Sequence, residues 1–177
     1  MFTRKIIALA AGAVLTAGGA VGAVTASAET AAGACTVTGS VTSTSGIDLT
    51  PSTDDFTFQS VSISCNGSDA DDNGSWNVNA HGTATNSTCA GGPFSGSIDG
   101  GGGPDGTITG GSFTGVRTGT AVAVEGTIKT AGETHTFVAH LIFVPHGGAC
   151  DPTSLDTSNP THNAGINTGS TAVVVEN

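Results

Sequence analysis

Trp76-Asn77-Val78-Asn79-Ala80-His81-Gly82-Thr83-Ala84 alternates apolar or small residues with polar ones without a break. Successive side chains on a strand point to opposite faces, so this period of two predicts a β-strand with one face turned to a core. The pattern recurs on both sides. Cys35, Val37, Gly39 and Val41 alternate with Thr36, Thr38, Ser40 and Thr42. Phe56 and Phe58 share one phase, while Val61, Ile63 and Cys65 take the other. That one-residue slip predicts a β-bulge near Gln59-Ser60. Phe94 and Ile98 bracket a shorter strand. Segments 107–118 and 120–130 follow, the second with Val122, Val124, Gly126 and Ile128 on one face. In residues 135–145, Phe137, Ala139, Leu141 and Phe143 fill one face, and Val138, Ile142 and Val144 fill the other. A strand apolar on both faces is expected to be central. A last strand is expected over 171–175.

Between these segments stand turn signals: Asn66-Gly67, Asn73-Gly74, Asp99-Gly100, Asp105-Gly106 and Gly147-Gly148. Residues 151–168 are polar, contain Pro152 and Pro160, and read as a long loop. Gly100-Gly101-Gly102-Gly103-Pro104 reads as a flexible connection, since neither a helix nor a Lys follows to make it a phosphate cradle. No segment carries a sustained helical period with caps. The expected fold is all-β: an antiparallel β-sandwich or small β-barrel of about eight strands.

The amino terminus sets the compartment. Met1-Phe2-Thr3-Arg4-Lys5 is basic, residues 6–24 are an Ala/Gly/Val-rich apolar run, and Ala26-Ser27-Ala28 is a small-residue cleavage signature. This is the pattern of a secretory signal peptide over 1–28. A short tail (29–34) and a single domain (35–177) follow. Ala32-Gly33-Ala34-Cys35 has the small residues of a lipobox. However, Ala32 stands where leucine is usual, and Glu29 separates it from the apolar run, which argues against lipidation. The expected location is extracellular.

Removing 28 of the 177 residues leaves 149, enough chain for one core. Arg4 and Lys5 leave with the signal, so Arg117 and Lys129 face 14 acids, a formal charge of −12. Two scattered cations cannot neutralise a run of phosphates, which excludes nucleic acid as a partner. No second long apolar run follows, so no transmembrane segment is expected.

All four cysteines, Cys35, Cys65, Cys89 and Cys150, follow the signal. An even count in an exported chain argues for two disulfides, with three connectivities allowed. Cys35–Cys65 with Cys89–Cys150 is favoured. The first closes a hairpin whose ends meet, and the second ties a late strand to the middle of the chain. Zinc-thiolate is disfavoured because no C-x-x-C occurs.

A resemblance rests on several of these features together. They are the Cys35-Thr36 start, Phe56-Thr57-Phe58, Cys65-Asn66-Gly67, Gly/Thr-rich strands around Cys89, and the apolar strand before Pro145 and Cys150. The chain resembles a widespread set of small four-cysteine secreted proteins of actinobacteria, over most of 34–175. The resemblance implies export and β structure, and it carries no activity.

The sharpest chemical motif is Asp69-Ala70-Asp71-Asp72-Asn73-Gly74, the first half of an EF-hand-type loop. Asp69, Asp71 and Asn73 are the candidate calcium ligands, with Ser75 and Asn77 as further contacts. Ala80 stands where a bidentate glutamate belongs, and the flanks read as strands, so a solvated acidic hairpin tip is the competing reading. His81, His135, His140, His146 and His162 form no H-x-H or H-E-x-x-H and are expected at the surface. His135 and His140, five apart, should face opposite sides of a strand. The sequence leaves open a folded cluster of His140 and His146 with Glu133. There is no G-x-S-x-G, the cysteines are expected to be paired, and the Asp54-Asp55 pair is expected to be exposed, so no catalytic residue is assigned.

The function expected is that of a non-enzymatic extracellular β-domain acting as a binding or surface-associated module. Two alternatives stand beside it. One is a carrier of a small apolar ligand, given the interior space that glycine-rich strands would leave. The other is an inhibitor or toxin acting on a competitor's enzyme through the loop at 145–152.

Overall fold

The computed structural model of the chain describes residues 35–66, 74–154 and 158–176. Residues 1–28, read from the sequence as a signal peptide, and 29–34, read as a short tail, lie outside the described residues. Nine strands run in order: β1 (Cys35–Ile47), β2 (Ser52–Cys65), β3 (Gly74–Ser87), β4 (Gly91–Gly103), β5 (Gly106–Thr118), β6 (Ala121–Thr130), β7 (Thr134–His146), β8 (Thr161–Ile166) and β9 (Thr171–Glu176). The first seven form an antiparallel meander in which each strand pairs with the next. Between β7 and β1 the pairing closes through two short strands laid end to end. β8 pairs with β1 over Gly39–Ile47 and with β7 over Phe143–His146. β9 pairs with β1 at Cys35 and Thr36 and with β7 over His135–His140. The result is one ring of antiparallel strands rather than two stacked sheets.

Ser170 stitches the step between β8 and β9. It is fully buried, its Oγ accepts the Ile142 N–H at 2.9 Å, and its carbonyl accepts the Val37 N–H at 3.0 Å. Backbone groups that a continuous strand would satisfy are thus still paired.

The predicted alternation holds. Val37, Phe56, Phe58, Val61, Ile63, Trp76, Val78, Ala80, Val122, Val124, Ile128, Phe137, Ala139 and Leu141 all face inward. The bulge falls where the phase slips: Ser60 has φ 52°, and the register shifts between Phe58 and Val61 against β3. Opposite the bulge lies Gly39, whose missing Cβ would sit 2.9 Å from the Val61 Cα. Both disulfides have the favoured connectivity. Cys35 and Cys65 are direct cross-strand partners. Cys89 lies in the β3–β4 connection, and Cys150 in the β7–β8 connection rather than on a late strand.

One cross-strand row explains the glycine content. Phe56, Gly82, Gly96, Phe113, Gly126 and Phe137 face one another in succession from β2 to β7. Each ring lies over a neighbouring glycine: Phe56 over Gly82, Phe113 over Gly96 and Phe137 over Gly126. Phe94 lies over Gly115 and Trp76 over Gly103 in the same manner. Phe56, Phe58, Phe94 and Phe113 then meet edge-on or tilted, with centroids 5.4–6.3 Å apart. The space that glycine leaves is thus filled by a ring from the next strand.

Three expectations are corrected. Gly100–Gly103 ends β4 rather than forming a flexible connection, and only Pro104-Asp105 turns the chain, with Gly103 facing Gly106. The reason is steric: a Cβ at Gly103 would lie 2.2 Å from the Trp76 ring, and one at Gly101 1.8 Å from the Asn77 carbonyl oxygen. Asp99-Gly100 is accordingly not a turn but a bulge within β4, where Asn79 faces Gly100 and Ala80 faces Ile98. The segment read as a loop over 151–168 contains β8, whose buried Thr161, Ala164 and Ile166 are too few and too small to show a period.

Candidate functional site

Three places on the ring offer chemistry or contact: one outer face and its two ends. The outer face is carried by β5, β6, β7 and β9. Register places Val116, Ala123 and His140 in one row, Ala121 beside Ile142 in the next, and Glu125, Val138 and Val173 in a third. Val116 is 52 % exposed, and Val138, Ile142 and Val144 are 38–41 % exposed. The strand apolar on both faces is therefore not buried on both. β7 is central in pairing, bonded to β6, β8 and β9, but a ring has only one inside, so its second apolar face meets solvent. Val116, Ala123, Ala121, Ile142 and Val144 thus form an exposed apolar run over β5, β6 and β7, bordered by His140 and Glu125.

The end carrying Cys89–Cys150 holds a cavity of about 80 Å³, floored by Phe56, Phe58, Phe94 and Phe143. A wholly apolar cavity of about 60 Å³ lies deeper, among Val37, Phe58, Leu141 and Ile166. Both are smaller than the roughly 150 Å³ that accommodates a single benzene. The polar groups at the mouth are engaged in holding the fold. Arg117 occupies the inward phase of β5. Its Nη1 donates to the carbonyls of Cys89 at 3.1 Å and Gly119 at 2.9 Å. Its Nη2 donates to the Ser87 Oγ at 3.3 Å and to the Thr88 carbonyl. Burial pushes the guanidinium below its ordinary pKa, yet it stays a cation, which these acceptors stabilise. Replacing Arg117 with Leu should remove about 3–5 kcal/mol of stability, since it strips four bonds to a charged donor and takes the side-chain donor from the Cys89 and Gly119 carbonyls. Urea denaturation measures this, and a loss under about 1 kcal/mol would show that the clamp is not structural.

Asp54 is corrected in the same way. It is buried rather than exposed, accepting the Ser43 hydroxyl and the Ser45 N–H at 2.7 Å. Asp55 is exposed and accepts the Thr83 hydroxyl at 2.8 Å. The loop considered for inhibition is tied down. Asp151 accepts from the Gly147 N–H at 2.7 Å, the Thr153 N–H at 2.8 Å and the Thr153 hydroxyl at 2.7 Å. The Thr153 hydroxyl, then those two N–H groups, hold its carboxyl down at about 2. The Cys150 N–H donates to the Thr161 hydroxyl, which in turn donates to the Gly147 carbonyl.

At the opposite end, Asp105 in the β4–β5 turn, Glu133 in the β6–β7 turn and His135 on β7 come together. The His135 Nε2 lies 3.4 Å from an Asp105 carboxylate oxygen and 3.8 Å from one of Glu133. Trp76 packs edge-on against the imidazole, centroids 4.8 Å apart. His135 is buried, not at the surface, and its Nε2 makes no hydrogen bond. Its position shares the phase of Phe137, Ala139 and Leu141, so the alternation already pointed it inward.

His140 faces outward, as the five-residue spacing requires, and His81 pairs with Asp99 at the surface, 2.7 Å apart. Glu133 meets His135 rather than His140 or His146. The candidate calcium ligands Asp69, Asp71 and Asn73 lie outside the described residues. Of the further contacts, Ser75 and Asn77 lie on β3, and Ala80 points into the core. Two closed disulfides with no free cysteine fit an oxidising compartment. Among the described residues no helix is long and apolar enough to cross a membrane. Comparison with protein-family models, curated proteins and solved structures finds no match.

Proposed function

We propose that this chain is an exported, non-enzymatic binding module that engages a protein partner through the outer face centred on β7. The observation that carries the reading is the adjacency of exposed Val116, Ala123, Ala121, Ile142 and Val144 on neighbouring strands, with Val138 and Val173 beyond His140 on the same face. A carrier of small apolar ligands is less favoured, because phenylalanine rings occupy the space over the glycines and the remaining cavities are small. The chemistry of the partner follows from charge. Without Arg4 and Lys5 the chain carries a formal charge of −12 and repels a second copy of itself, so the complementary surface is an apolar centre with a basic rim.

A photo-crosslinking residue at Ile142 tests this, with one at Thr57, exposed on the outer face of β2, as control. The expected outcome in culture medium is an adduct with a single basic protein from position 142 and none from position 57. The adduct should disappear when Val138→Lys is added, which places a cation against the basic rim. Equal labelling from both positions, or an adduct with a second copy of the chain, would overturn the reading.

A further inference from the structure

We propose that Asp105, Glu133 and His135 form a three-ligand site for a divalent transition cation of the zinc class. The three donor atoms lie within 4.8 Å of one another. Ligand atoms about 2.0–2.1 Å from a tetrahedral Zn²⁺ stand roughly 3.3–3.4 Å apart. The separations of 3.4 and 3.8 Å from His135 are close to that edge, so small rotations of two carboxylates on turns complete the geometry.

Two independent features distinguish this group from an acidic patch. The His135 side chain is 6 % exposed, and its buried Nε2 has no hydrogen-bond partner although it is aimed at the carboxylates. A buried polar atom without a partner is rare in a folded protein, and a metal bond is one way to satisfy it. The scaffold is also rigid. Asp105 sits in a two-residue turn closed by the Gly103–Gly106 pair, and the Glu133 carbonyl accepts the Thr130 N–H at 3.0 Å. Ligands from tight turns and a strand hold their positions better than ligands from a long loop.

The donor set selects the metal. One imidazole with two carboxylates suits zinc and its neighbours, whereas calcium takes six to eight oxygens. Two carboxylates and a neutral imidazole also balance a dication. The carboxylate side chains are 28 % and 45 % exposed, which leaves the fourth position open to water.

The competing occupant is a proton, with an imidazolium held between two carboxylates. Titration of the metal-free protein with zinc chloride separates the two, read by calorimetry for stoichiometry and by fluorescence of Trp76, the single tryptophan, at the imidazole. The expected result is one equivalent of zinc, a saturable fluorescence change and a raised melting temperature. Glu133→Gln and Asp105→Asn, both on turns, should each weaken zinc by about tenfold or more while the metal-free protein still melts cooperatively. Asp69→Asn with Asp71→Asn should leave zinc affinity unchanged. Absence of stoichiometric zinc binding would overturn the proposal. So would binding that survives both turn variants, or binding lost only in the Asp69/Asp71 variant, which would move the metal to the acidic hairpin.

Discussion

Alanine at Gly96 should destabilise the protein by about 3 kcal/mol or more, the effect of forcing an atom into an interior that cannot yield. A Cβ there would lie 2.1 Å from the His81 carbonyl oxygen and 2.4 Å from the Phe113 ring. Neither neighbour is free to move. The carbonyl belongs to the β3 backbone, and the Phe113 ring is held among Phe56, Phe58 and Phe94. The argument is steric, since Gly96 does not have a positive φ. Gly102 is the control from the same strand: beyond its own chain neighbours, nothing lies within 4 Å of where its Cβ would be. Gly102→Ala should change stability by less than about 1 kcal/mol, in line with a surface substitution. Equal losses at the two positions, measured by urea denaturation, would mean that ring-over-glycine packing does not govern the interior.

Replacing both Cys89 and Cys150 with alanine should cost about 4 kcal/mol, from a closed loop with a sequence separation of 61. For a domain of this size that lowers the melting temperature by about 10 °C or more. The bridge joins the β3–β4 connection to the β7–β8 connection, segments that share no strand pairing. Cys35–Cys65 links two residues that already face each other on paired strands, with a separation of 30. Its removal should therefore cost less, about 3.5 kcal/mol at most in the same chain-entropy account. Differential scanning calorimetry of the two double variants ranks them. A larger loss from the Cys35–Cys65 variant would contradict the view that the longer closure matters more.

Much of the fold could be read from alternation alone, because the ring turns one face of nearly every strand inward. The phase of β1, β2, β3, β6 and β7 and the bulge at Ser60 followed from it, while both disulfides followed from the cysteine count and spacing. What escaped has physical causes. β8 buries only Thr161, Ala164 and Ile166, so a polar segment closes the ring with almost no apolar signal. The glycines ending β4 resemble a linker in sequence, and only Trp76 from the neighbouring strand explains them. Asp54, Arg117 and His135 share a subtler lesson. Each lies in the inward phase of its strand, near a strand end, where a polar side chain gives no apolar signal. Following the phase through polar positions would have placed all three inside. Asp105 could not be anticipated, since the pairing of β5 with β6 sets the β4–β5 turn beside the β6–β7 turn, and no motif in the sequence links Asp105 to His135.

The most direct test of the account is native mass spectrometry of the protein recovered from culture medium, beside the Val138→Lys/Ile142→Lys variant. The prediction is a complex with one basic protein partner, absent in the variant, and no organic molecule retained within the ring. A stoichiometric small organic adduct that persists in the variant would contradict it and would place function in the interior rather than on the outer face of β7.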